Sequence, residues 1–207
     1  MPKAKNPSKS KEIQSVIAGL FARNGYHSTS MREIARELGM NPSSLYHYMK
    51  SKEEILFRLM NDAIDDALAT MEEICAADLT PEDKLDRVLG FYIRYYAGDQ
   101  DRLILLVNEM NALHDAHRKI LVDKQRRYVN LIRSILKELA RDLEMKPIHP
   151  TIATFAFFGM VHYTIKWYKK DGPIGLNELA HAFIEIFTQG IRSRPHYPDQ
   201  TNGSAAV

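Results

Sequence analysis

Cysteine is nearly missing from this chain, with one residue, Cys75, in 207. A single thiol excludes an internal disulfide framework and fits a reducing compartment. No basic cluster flanks Cys75, so it reads as an ordinary helix residue and not as a reactive thiol. Long apolar runs are missing too: no segment approaches the roughly 20 uninterrupted apolar residues of a membrane span. The stretch "MPKAKNPSKSKE" is basic but has no apolar run behind it, which argues against a secretory signal. The expected location is the cytoplasm. Strand-like alternation with hairpin turns is absent, so the fold class expected is all-α. No P-loop, dinucleotide glycine pattern, Cys-x-x-Cys or His-Glu-x-x-His occurs, so neither an enzyme nor a cofactor is expected. His114 and His117 stand one helical turn apart, but no third ligand accompanies them, and no metal site is expected. Asp62, Asp65 and Asp66 read as the wet face of a helix, not as an acid–base site.

What is present is an ordinary globular composition, 45% apolar and 26% charged. The net charge is only +2, but it is unevenly spread. Residues 1–60 hold ten Lys/Arg against five Asp/Glu, while the rest hold eighteen against twenty-one. A basic N-terminal third on a slightly acidic body points to a polyanion-binding end. Apolar residues at 13, 16, 17, 20 and 21 give a first helix, stopped by Gly25. Ser30-x-x-Glu33 is a capping box for a second, with Met31, Ile34, Ala35 and Leu38 on one face and Gly39 after it. A second box, Ser51-x-x-Glu54, opens a long helix from Lys52 to Ala76 with a regular apolar rhythm. Further helices are expected over about 81–97, 101–112, 115–144, 151–169 and 176–192. The segment 151–169 is apolar nearly all round and needs cover on several sides. A basic arm (1–8) and a polar tail (195–207) are expected to be loose.

Between the two capping boxes lies "NPSSLYHYMKSKEE". Asn41 suits a helix N-cap and Pro42 the first helical position. Only Leu45, Met49 and one edge of Tyr48 can point inward. Its thin apolar face makes sense if the other face lies against something polar. Two short helices joined across Gly39-Met40-Asn41 form a helix-turn-helix, with Ala35 small enough for a close crossing. Ser43, Ser44, Tyr46 and His47 then project outward, with side chains suited to base edges and phosphates. A short solvent-facing helix is the plainer alternative for this stretch taken alone.

With these residues in hand, the chain resembles the tetracycline-repressor (TetR) family of bacterial transcriptional regulators, through "GYHSTSMREIARELGMNPSSLYHYMKSKEEIL" at residues 25–56. The resemblance implies phosphate contacts by Thr29, Ser30 and Arg32, and by Lys52 at the start of the fourth helix. It implies that Ser43, Ser44, Tyr46, His47 and Tyr48 face the major groove of a palindromic operator. Met49 departs from the Phe usual in the family but fills the same core volume. The expected division is a DNA-binding unit at 9–52 and an effector-binding and dimerisation unit at 53–194. The last two helices carry more apolar surface than one small domain hides, so pairing across a two-fold axis is expected. Gly159 and Gly190 permit close contact there, or are local flaws.

Phe91, Tyr92, Tyr95, Met110, Phe155, Phe158, His162 and Tyr163 are candidates to line an effector pocket; core packing is the competing reading for each. The segment "KWYKKDGP" resembles the C-terminal region of family members that sense acyl-coenzyme A thioesters. Such a ligand needs an apolar slot for its chain and cations for its phosphates. Arg94, Arg102, Lys124, Arg126, Arg127 and Arg133 are the cations considered, and a solvated charged face is the alternative for each. A repressor sensing cationic drugs and a DNA-binding module without an effector remain competing functions. So does a helical binding or catalytic protein whose N-terminal helices are structural.

Overall fold

The computed structural model describes the backbone of residues 7–142 and 148–192; side chains 7–11, 47, 48, 141, 142 and 192 are not described. The expected arm (1–8) lies mostly, and the tail (195–207) wholly, outside that range. The described residues form helices α1 (Pro7–Asn24), α2 (Met31–Glu37), α3 (Pro42–Tyr48), α4 (Lys52–Ala76), α5 (Pro81–Gly98), α6 (Gln100–Asn108), α7 (Asp115–Asp142), α8 (Pro150–His162) and α9 (Leu176–Arg192). No strand occurs among them.

Local chemistry sets the ends. Gly25 and Gly39 adopt φ of 82° and 62°, a left-handed conformation that costs other residues energy, and so end α1 and α2. Thr80 caps α5 by accepting from Asp83 N, with Pro81 at the first helical position. Pro150 opens α8 in the same way, behind His149, whose Nδ1 accepts from Thr151 N at 3.2 Å. Two expected helices are shorter than their apolar pattern. The 101–112 segment ends at Asn108 and passes into a 3-10 turn, Met110–Ala112. The 151–169 segment leaves the α-helix at His162, and Tyr163–Lys166 is a 3-10 turn tightened by the Thr164 hydroxyl donating to the Val161 carbonyl at 2.6 Å.

The long α4 is the spine, about 37 Å at 1.5 Å per residue. It packs on α5, α6 and α7; α5 in turn packs on α7, α8 and α9, and α1 packs on α6. One continuous core runs from Ile17, Phe21, Ile34 and Leu45 through Leu56, Ile64 and Met71 into Tyr92, Tyr96 and Phe157. Leu45, nearly fully buried, is the plug of the small N-terminal head; burying it is worth about 1.5–3 kcal/mol.

The last two helices leave an apolar face uncovered: Ile152, Phe155 and Tyr163 from the α8 segment and Ile186 from α9 are all more than half exposed. Not every apolar residue of α9 joins this face. Phe187 is buried against Phe157, and half-buried Phe183 meets the Trp167 ring. The 3.6-residue period places Ile186 outside and Phe187 inside.

Candidate DNA-reading face and effector cavity

Each short helix of the head is fixed by its own caps. Ser30 Oγ accepts from Glu33 N at 3.2 Å, and Glu33 Oε2 accepts from Ser30 N at 2.7 Å and from its hydroxyl at 2.8 Å. Those bonds hold the Glu33 carboxyl below the usual carboxylate range. Asn41 Oδ1 accepts from the backbone and hydroxyl of Ser43, at 3.0 and 2.9 Å. Ser51 Oγ accepts from Glu54 N at 3.0 Å, and Glu54 reaches back to Lys50 N at 2.9 Å. Between α2 and α3, Met40 N donates to the Ala35 carbonyl at 2.8 Å, which seats α3 against α2.

The outward residues divide into free and committed. Arg32 and Tyr46 are exposed, Ser43 is exposed with its hydroxyl proton on Asn41, and Ser44 is half-buried beside them. The side chains of His47 and Tyr48 lie outside the described residues. Thr29 is buried, and its hydroxyl donates to the Gly25 carbonyl at 2.8 Å, so it closes the α1–α2 turn instead of facing out. Ser30 is exposed but spends its hydroxyl on the cap.

Lys52 is also committed. Its Nζ donates to the carbonyls of Tyr26, His27 and Thr29 at 2.7, 3.1 and 2.8 Å, and lies 4.4 Å from the centroid of the Tyr26 ring. An ammonium has three donors, and all three are used. Lys52 therefore pins the α1–α2 turn to the start of α4, where the sequence reading had it reaching a phosphate. Lys50, two residues earlier and exposed, is the cation left open at this corner. The sequence signal for Lys50 was its place just ahead of the Ser51 cap, outside the helix.

In the body a cavity of about 290 Å³ lies among α4, α5, α6, α7 and α8. Of the ten expected pocket residues (the eight candidates above together with Arg102 and Arg127), Tyr92, Met110, Phe155, Phe158 and His162 line it. Five do not. Phe91 packs on Tyr95, whose hydroxyl donates to the Ala63 carbonyl at 3.1 Å, and Tyr163 is exposed. Arg102 Nε pairs with Asp99 at 3.3 Å, at an angle poor for a hydrogen bond, and Arg127 pairs with Glu72. Sequence reading missed Ile64, Tyr96, Leu103, Leu106 and Val107, together with Gln125, Tyr128 and Val129 on α7. The α7 residues recur at helical spacing, but their pattern looks the same whether it faces a core or a hole.

The wall is apolar with three phenols, an imidazole and the Gln125 amide in it. Tyr128 donates to the Ile64 carbonyl at 2.9 Å, so the Tyr96–Tyr128 contact of 2.8 Å has Tyr96 as donor. Tyr92 Oη lies 2.9 Å from His162 Nε2. Burial raises the phenol pKa of Tyr92 well above its ordinary value and lowers that of His162 to about 4. His162 is therefore neutral near pH 7.

The cations considered for phosphates sort clearly. Lys124 donates to Asn61 and Asp65 at 2.6 and 2.5 Å, and Arg126 pairs with Asp123 at 2.7 Å. Arg94 and Arg133 have no carboxylate partner among the described residues. The Arg94 guanidinium lies over Gly90 beside Ile184 of α9, on another side of α5. Arg133 sits one turn beyond cavity-lining Val129 on the same face of α7, and its buried Nε has no hydrogen-bond partner.

Polar ties join α4 to α7 along their length. Lys124 and Arg127 form two of them with Asp65 and Glu72. Tyr128 adds another through the Ile64 carbonyl, and one more is at the head end. Glu53 accepts from His114 N at 3.1 Å and from His117 Nδ1 at 2.9 Å, while Phe57 stacks on the His117 ring at 3.9 Å. His117 is thus paired with a carboxylate, and no cluster of metal-ligating residues forms among the described residues.

Residues 13–59 match the family described as bacterial regulatory proteins, tetR family, and residues 78–191 match the tetracyclin repressor-like C-terminal domain. The chain belongs to the TetR family. It is a helix-turn-helix transcriptional regulator of the repressor type. The fatty acid metabolism regulator protein of Bacillus subtilis (strain 168) is 26% identical to this TetR chain over 194 residues, 93% of this chain and 100% of the relative. AibR, solved in complex with isovaleryl coenzyme A and operator DNA, superposes with a TM-score of 0.76 at 26% identity, covering 85% and 96% of the two chains. FadR of Bacillus subtilis, solved in complex with stearoyl-CoA, does so with a TM-score of 0.69 at 26% identity, covering 88% and 99%. In this TetR regulator the reading head falls within the first matched segment and most of the cavity within the second.

Proposed function

We propose that this regulator binds a palindromic operator as a homodimer and is released by an acyl-coenzyme A thioester held in the α5–α8 cavity. The observation that carries the reading is an aromatic-walled cavity with one uncommitted cation, Arg133, a turn away along α7. Two relatives solved with acyl-coenzyme A ligands support it. The acyl group occupies the cavity, and Arg133 takes a phosphate by charge-assisted hydrogen bonds. In the head (9–52), Ser43, Ser44 and Tyr46, with His47 and Tyr48 beyond them on α3, read the groove. Arg32 and Lys50 hold phosphates, with Ser30 fixing the α2 entrance. The exposed faces of α8 and α9 pair with a second copy, since contiguous apolar patches of this kind mark interaction sites. The place of action is the cytoplasm, with the DNA, and the protein is not an enzyme.

Release runs through the first two residues of α4. Lys52 holds the head through three carbonyls, and Glu53 holds the body through His114 and His117. Met110, in the turn ahead of His114, and Gln125, Tyr128 and Val129 on α7 all line the cavity. A ligand pressing on that turn and on α7 shifts Glu53, and α4 carries Lys52 and the head with it. Two heads engage successive major grooves only when about 34–36 Å apart, so a small tilt abolishes the fit. The ligand acts through its differential affinity for the two spacings; about 1–3 kcal/mol gives a 5- to 150-fold loss of DNA affinity. The test is calorimetric titration of the purified dimer with octanoyl-coenzyme A and with free coenzyme A. Micromolar or tighter binding of the ester, weakened about ten-fold by Arg133→Ala, supports the reading; heats absent for both ligands overturn it.

A further inference from the structure

The cavity holds two constraints on its ligand, one of size and one of chemistry. At about 30 Å³ for a water-sized group, 290 Å³ accommodates roughly ten non-hydrogen atoms. An eighteen-carbon chain exceeds this volume, so its end must leave by the side of exposed Phe155 or the walls must rearrange.

The chemical constraint comes from counting donors on the phenols and the imidazole, beside the Gln125 amide of α7, which brings two more. Tyr96 donates to Tyr128 and Tyr128 to the Ile64 carbonyl, so that chain has spent its protons. Tyr92 and neutral His162 together carry two, the phenol O–H and one ring N–H. Their mutual contact at 2.9 Å uses one of them in either tautomer. One donor remains on the pair, and no other hydrogen bond of these two side chains occurs among the described residues. His162 lies two turns along α8 from exposed Phe155, about 10 Å at 1.5 Å per residue. A donor facing a purely hydrocarbon tail there loses a hydrogen bond to water and gains nothing, a cost of the kind that makes polar sites discriminate.

We infer that the effector's acyl group is short, about ten non-hydrogen atoms at most, and carries a hydroxyl or keto oxygen that accepts a hydrogen bond from the Tyr92–His162 pair. This rests on the acyl-coenzyme A reading of the same cavity. Tyr92 and His162 are then specificity-determining residues: they select an oxygenated chain over a saturated one of equal length. An enzyme that hydrates, hydroxylates or oxidises a short acyl thioester makes such a compound.

The experiment is calorimetry of the full chain with octanoyl-, 3-hydroxyoctanoyl-, 8-hydroxyoctanoyl- and stearoyl-coenzyme A. The expected result is that at least one hydroxylated ester binds ten-fold or more tighter than octanoyl-coenzyme A. Stearoyl-coenzyme A binds ten-fold or more weaker than octanoyl. In the double variant Tyr92→Phe, His162→Phe the hydroxylated and saturated esters converge. The comparison on the unmodified protein decides the matter even where that variant fails to fold. Equal affinity for hydroxylated and saturated esters, or stearoyl affinity matching octanoyl, overturns this inference and leaves the thioester reading standing. Binding of no ester at all, by protein that still binds DNA, overturns the thioester reading itself.

Discussion

The head and the body of this regulator are built by different rules. In the head, short helices are fixed by hydrogen bonds that span two to four residues: Ser30 with Glu33, Asn41 with Ser43, Lys50 with Glu54. In the body, contacts that matter span tens of residues: Tyr92 with His162, Tyr128 with Ile64, Glu53 with His117. A locally determined head moves as a rigid piece, whereas a body closed by distant contacts around a cavity can settle in more than one arrangement. Residues 52 and 53 sit at the seam, one bonded to each side.

The largest expected effect separates inward from outward positions on α9. Phe187→Glu buries an unpaired carboxylate against Phe157 and unfolds the body. Ile186→Glu, one residue away and exposed, leaves each protomer folded but monomeric. Sedimentation with circular dichroism distinguishes the two; monomer formation by neither variant removes α9 from the interface.

Next is Lys52. Replacement by Met keeps the chain length but removes three hydrogen bonds to carbonyls, a loss of about 3 kcal/mol. Faster amide exchange confined to residues 25–35 is expected, with DNA affinity down 100-fold or more on every sequence. Normal exchange with a smaller affinity loss and a shallower salt dependence returns Lys52 to the role of a plain phosphate contact.

The body has a pH signature between about 6.5 and 4. Burial pulls the His162 pKa from 6.5 to about 4, so on acidification the unfolded chain takes up the proton first. Stability is complete above about pH 6.5 and declines as the pH falls toward 4, by up to about 3 kcal/mol. Urea unfolding across that range detects the slope, and His162→Phe flattens it.

Smaller still is the seam itself. Glu53→Gln retains an acceptor for His114 but weakens the tie to His117. Operator affinity is expected to change less than three-fold while the ligand-induced drop shrinks several-fold. An unchanged drop rules out this route of coupling. Smallest is the contrast on the reading face: Lys50→Ala weakens all duplexes about equally, whereas Tyr46→Ala also alters base preference, by roughly 1–3 kcal/mol at one position.

The same contrast explains what was legible in the sequence. The capping boxes, Gly25, Gly39 and Pro42 named the head's helices to within a residue or two, because their signals are local. Exposed Tyr46 and buried Leu45 follow from the same period. Lys52 was misread because its partners are carbonyls, which carry no side-chain signature. Half of the expected pocket residues line the cavity. Phe91 and Tyr95 do not, because a helix as aromatic as α5 has several apolar faces and only its packing on α7 and α8 selects one. Arg133 stood out from five other cations only once the partners of four, and the place of Arg94 on another side of α5, were located.

The central claim is that a thioester in the body loosens the head's hold on DNA. Its most direct test is fluorescence anisotropy of the protein on an operator selected from random duplexes, titrated at fixed salt with acyl-coenzyme A esters, free fatty acids and cationic dyes. The account predicts release by short acyl-coenzyme A esters alone, with DNA affinity falling 5- to 150-fold. Release by dyes and not by any thioester, or a complex that no compound disturbs, contradicts it.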